Sequence, residues 1–211
     1  MRYPNVRFPC LPRIVAMSLK SSSLLAPGPL ALGPVALSGL ILLAALSRLL
    51  PHPNNVSPIA AVALFGGAFF ARRGWAVAMP LLAMFVSDLA LGLINGGIYL
   101  DYFLSAGFVL VYLCIALSTV LGFRLKGRAN IARVAGYSVI GSVLFFVVTN
   151  FGAWLGSPMY PQTTAGLTAA YVAGLPFFQN TLLGTLFYSA LLFGSFAWMR
   201  EKIPALRLQT A

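Results

Sequence analysis

Apolar residues run through this chain in blocks rather than in alternation, at roughly 29–50, 58–71, 74–94, 102–123, 134–155 and 175–199, parted by short polar or glycine-rich connections. A helix needs about 20 apolar residues to cross a bilayer core of about 30 Å. The pattern therefore predicts an all-α integral membrane bundle of six transmembrane helices. The second block is the exception, since about 14 residues at about 1.5 Å each make a rod of roughly 21 Å. It is expected to be sheltered by its neighbours, or to sit where the membrane thins.

Composition strengthens this picture. Hydrophobic residues make up 60% of the chain, charged ones 8%, and mean hydropathy is +0.90. Such a chain lacks the polar surface of a soluble domain. The net charge of +11 would fit a polyanion, but the cations fall between the apolar blocks instead of sharing a face with aromatics, so no nucleic-acid partner is expected. Their placement orients the bundle. With the N-terminus inside, the inner segments hold every Lys and Arg except Arg48. The positive-inside rule thus places both termini in the cytoplasm.

Residues 1–27, with Arg2, Arg7, Arg13 and Lys20, are expected to form a basic flexible tail ahead of a transmembrane domain at 28–199, with a basic cytoplasmic tail at 200–211. No cleaved signal peptide is expected, and a start at Met17 would remove only residues without periodicity. Cys10 and Cys114 support neither a disulfide framework nor a metal site. No metal and no cofactor is expected.

The chemistry concentrates in the stretch SRLLPHPNNVSPIAAVALFGGAFFARR, residues 47–73. Prolines on both sides of His52, the chain's single histidine, stiffen the turn that carries Asn54 and Asn55. Polar groups in a rigid turn on the outer side are candidates for a ligand. Further on, Ala63, Gly67 and Ala71 are spaced by four, which lets helix backbones approach closely, either within the chain or at a docking surface for another subunit. Asp88 lies inside the third block, and a carboxylate at that depth demands a partner. Arg48 is the basic residue on the same side, so an Arg48–Asp88 ion pair is expected.

The outer connections add Asn95 and Tyr99, and then a 19-residue stretch, GSPMYPQTTAGLTAAYVAG, which is long for a plain loop. Asn150 and Trp154 lead into it. Tyr160 lies within it. Pro176 reads as the start of the last helix, with Gln179 and Asn180 one turn in. Buried amides need partners, and aromatics with a few convergent polar groups are what a small-molecule pocket requires. His52, Asn54, Asn55, Asp88, Asn95, Tyr99, Asn150, Trp154, Tyr160, Gln179 and Asn180 are therefore the candidate substrate-binding residues. The inner loops offer only solvated charge.

SRLLPHPNNVSPIAAVALFGGAFF, PLLAMFVSDLALG, FFVVTNFGAWL, YPQTTAGL and LPFFQNTLLG together resemble an uncharacterised family of bacterial six-helix membrane proteins, over roughly residues 36–197. That family is in turn similar to the substrate-binding S components of energy-coupling factor (ECF) vitamin transporters, including solitary cobalamin transporters. The resemblance implies a multi-pass protein of the bacterial inner membrane that takes up a vitamin-sized molecule through an outer pocket, with cobalamin as one candidate. It also implies an ECF-type transmembrane coupling subunit with ATPases as a partner, besides substrate and lipid bilayer. His52 is the one outer residue able to ligate cobalt.

Two other functions stay open on the residues alone. Asp88 would serve a proton-coupled secondary transporter, although the halves show no repeat, and a non-transporting scaffold would need no site. An enzyme is not expected, because HExxH, GxSxG, CxxC and P-loop patterns are all absent from the sequence.

Overall fold

The computed structural model describes residues 31–97, 101, 103, 105–156 and 158–210. The basic segment 1–27 and Tyr99 lie outside the described residues. The described residues hold no strand and form seven α-helices: α1 (Leu32–Leu46), α2 (Ile59–Phe69), α3 (Arg73–Asn95), α4 (Ala106–Gly122), α5 (Ile131–Gly156), α6 (Thr164–Lys202) and α7 (Pro204–Gln209). Short 3-10 turns extend α1 over Ser47–Leu49 and α4 over Phe123–Leu125. Five helices are long and apolar enough to cross a membrane: α1 and α4 with their 3-10 turns, α3, α5 and α6.

The short α2 is the axis of the bundle. At 11 residues it is about 16 Å long, and every residue from Ala60 to Phe69 is buried. It packs against α1, α3, α4, α5 and α6. Its small residues make this possible, because they let other backbones close on it from several sides. A Cβ on Gly67 would stand 2.9 Å from the Gly122 Cα and closer still to the Thr119 carbonyl oxygen, and one on Gly122 would stand 2.5 Å from the Leu64 carbonyl oxygen. On another side Gly66 faces Pro80 and the Ala76 carbonyl of α3, which would meet a Cβ at 2.8 and 3.0 Å. Ala63 and Gly67 thus serve contacts within the chain. Ala71 does not share their face: α2 has ended at Phe69, and Ala71 is exposed, its carbonyl accepting a 3.1 Å bond from Lys126 Nζ.

Two segments depart from expectation. Most of the presumed 19-residue loop is helix, because Thr163 caps α6, its Oγ1 accepting from the Gly166 N–H at 3.2 Å, and the helix runs on for 39 residues. Pro176 sits inside α6 instead of starting it. At about 58 Å α6 far exceeds a bilayer core. The stretch expected as a C-terminal tail is folded: α6 reaches Lys202, and α7 returns against α1, with Leu206 fully buried and Gln209 Oε1 accepting from the Gly33 N–H at 2.7 Å. The Gly33 N–H belongs to the first turn of α1, where backbone donors lack helical partners.

The connections sort into two ends. At the basic end, Lys126 reaches the carbonyls of Phe70 and Ala71, and the Arg200 guanidinium stacks 5.8 Å from the Phe69 ring centre. At the turn end, the Pro51–Pro58 segment meets α6.

Candidate functional site

The turn end is built around the backbone of residues 51–58. Asn55 takes a left-handed conformation, φ 65°, which asparagine tolerates better than most residues, and the Val56 N–H donates to the Pro53 carbonyl at 3.1 Å. The turn leans on α6. Asn180 Nδ2 donates to the Asn54 carbonyl at 2.8 Å, and Gly184 lies so near that a Cβ would stand 2.9 Å from the Ser57 nitrogen. A side chain at position 184 would push the turn away.

Between this turn, α5 and α6 lies a cavity of about 230 Å³, lined by Asn55, Phe145, Thr149, Asn150, Phe178 and Thr181 among others. A space of about 60 Å³ continues from it, sharing Asn55, Phe145 and Thr181 and adding Ser57 and Thr185. The Ser57 hydroxyl in it is buried and has no hydrogen-bond partner among the described residues. A buried hydroxyl left unpaired costs about 1–3 kcal/mol. Other polar groups of the lining are held by their own helices: Thr149 donates to the Phe145 carbonyl, Asn150 to Phe146, Thr181 to Phe177 and Thr185 to Thr181. Asn150 also fills the space beside Gly174, where a Cβ would lie 2.8 Å from its Cγ.

Of the residues expected to bind substrate, Asn55 and Asn150 line this cavity. His52, Asn54, Asn95, Trp154, Tyr160, Gln179 and Asn180 line neither space. His52 is exposed, its Nδ1 3.0 Å from the Pro53 carbonyl oxygen; Gln179 is also exposed. Asn95 returns to the Leu91 carbonyl of its own helix. Trp154 is a structural clasp: its Nε1 donates to the Pro161 carbonyl at 2.9 Å, and Gln162 Nε2 donates to the Trp154 carbonyl at 2.6 Å. Ser57, Thr149, Thr181 and Thr185 were missed. The spacing of Thr181 and Thr185 along one apolar helix face was the available signal.

Asp88 sits elsewhere. Arg48 and Asp88 form an ion pair at 2.5 Å, with side chains 16% and 12% exposed. Tyr112 donates to the other carboxylate oxygen at 2.8 Å, and Arg48 also reaches Ser87, whose hydroxyl donates to the Ala45 carbonyl. One residue before Arg48, Ser47 shares a 2.8 Å bond with Tyr188. The network ties the end of α1 to α3, α4 and α6, and Asp88 lines neither space at the turn end.

The larger opening is at the basic end, where only solvated charge was expected. A groove of about 840 Å³ runs between α5 and α6. It exists because small residues face one another there, Ala135 and Ser138 on α5 against Ser189, Ala190, Gly194 and Ala197 on α6.

Residues 31–206 match DUF6580, a family of unknown function. No curated protein and no solved structure matches the chain. Among the described residues, no group of three or more His, Cys, Asp and Glu side chains is placed to hold a metal ion.

Proposed function

The chain belongs to the DUF6580 family, and we propose that it is a substrate-binding membrane protein for uptake of a vitamin-class small molecule, acting as a transporter subunit or alone. One observation carries this reading. The turn end holds a cavity walled by phenylalanines and supplied with hydroxyls and amides, and the small space that adjoins it holds the Ser57 hydroxyl, without a partner among the described residues. An apolar concavity with a few fixed polar groups suits a small organic ligand. Its volume of about 230 Å³ lies under the roughly 300–1,000 Å³ of drug-sized sites, which favours a compact substrate over one with the bulk of cobalamin.

In this reading α2 is a sixth, half-length crossing, the basic end faces the cytoplasm of a bacterial inner membrane, and the turn end opens outside. The small-residue face of α2 is occupied by α4, so an ECF-type coupling subunit would dock on another helix. Uptake requires the turn outside. In a background with both native cysteines replaced by serine, His52→Cys is expected to react with a membrane-impermeant maleimide on intact spheroplasts, and Arg128→Cys only after permeabilisation. The reverse pattern would exclude uptake through this cavity.

A further inference from the structure

The groove at the basic end is independent of the substrate reading, and its chemistry is that of an amphiphile site. Its walls are apolar, with Val134 and Ala135 of α5 facing Leu186 and Phe193 of α6. The two hydroxyls within it satisfy each other, Ser138 donating to Ser189 at 2.9 Å. Ala190, Gly194 and Ala197 are exposed, so the groove opens on the flank of the bundle between two membrane-length helices.

One charged side chain lines it. Arg200 lies over one side of a pair of touching rings, its guanidinium carbon 5.8 Å from the centre of Phe69 and 5.9 Å from that of Phe196. No carboxylate is in the lining, and among the described residues Arg200 makes no ion pair. Asn130 and Ile131, where α5 begins, also border the groove, adding the positive end of a 26-residue helix.

We propose that this groove binds one anionic phospholipid, its acyl chain along the α5–α6 walls and its phosphate on the Arg200 guanidinium. Guanidinium and phosphate match as paired donors and acceptors, and basic pockets between transmembrane helices hold anionic headgroups elsewhere. Free phosphate would leave the apolar walls bare. A second copy of the chain would bring its own excess of cations to the same end.

The test is native mass spectrometry of the full chain in nonionic detergent with equimolar palmitoyl-oleoyl phosphatidylglycerol and phosphatidylcholine. The wild type is expected to retain one phosphatidylglycerol with a preference of roughly fivefold, the effect of one interfacial cation. Arg200→Gln should abolish the preference, and Lys202→Gln, which removes the same charge two residues on, should leave it intact. Gly194→Leu keeps Arg200 and narrows the groove; a Cβ there meets nothing within 4 Å, so the fold is expected to stand while less of both lipids is retained. Equal retention of the two lipids by the wild type would overturn the proposal. So would undiminished lipid retention in Gly194→Leu, or a preference lost equally in Lys202→Gln. Displacement of the lipid by inorganic phosphate would assign the site to a free anion instead.

Discussion

Gly67→Leu is expected to abolish folded, monodisperse protein, and Gly67→Ala to lower stability by about 1–3 kcal/mol or more, the range for overpacking a closed core. The atoms that a new Cβ would meet at position 67 are backbone, the Thr119 carbonyl and Gly122, and backbone cannot rotate aside. The helices would have to part, and α2 is where five others meet, so the disturbance spreads through Leu64, Phe65 and Phe69 to Phe193 and Phe196. Gly136→Ala is the matched control. A Cβ at that position meets nothing within 4 Å, and its effect should stay within about 0.5 kcal/mol, as for ordinary surface changes. The fraction of protein surviving a heating series, read by size-exclusion chromatography, separates the three variants.

The second large effect belongs to the ion pair. Arg48→Met is expected to cost about 3–5 kcal/mol, the usual penalty for stripping one partner from a buried charge pair. It leaves the Asp88 carboxylate with Tyr112 alone. Asp88 lies seven residues from Asn95, the last of α3, or about 10 Å inside the helix end, and its short side chain is 12% exposed. Asp88→Leu should cost less, because Arg48 stands in the 3-10 turn where the chain leaves α1 and its long stem can carry the charge outward. The double variant Arg48→Met/Asp88→Leu should recover most of the loss, since two apolar side chains need no partner. Equilibrium unfolding in a detergent series, arranged as a double-mutant cycle, gives the coupling. Substrate uptake that survives in the double variant would also set aside a proton-carrying role for Asp88.

Much of this architecture was legible because lipid imposes simple demands. A half-length apolar block has to be sheltered, and α2 is buried from Ala60 to Phe69. A carboxylate inside an apolar helix has to find a cation, and Arg48 was the cation within reach. The Pro176 region misled for a physical reason. Proline ends helices in water, but in a membrane bundle neighbouring groups compensate for the missing rung and the helix continues, as α6 does. The amides misled in a related way. Asn150 and Asn180 do need partners, and they find them in the backbone carbonyls of Phe146 and Asn54 rather than all converging on one ligand. The groove at the basic end was invisible because a row of small residues marks either a tight crossing or a gap. Around Gly67 it is a crossing and around Gly194 a gap, and only the packed neighbours distinguish the two.

The cavity beside the turn is expected to hold a small molecule. Native mass spectrometry of the detergent-purified protein from cells grown in rich medium tests this directly, compared with Thr181→Phe, which narrows the cavity with a bulky ring, and with Asn150→Leu, which removes its amide. A stoichiometric adduct of vitamin-like mass in the wild type, absent from Thr181→Phe and weakened in Asn150→Leu, is the predicted result. An apo mass that does not change when a panel of vitamins is added, or an adduct that Thr181→Phe retains in full, would contradict it.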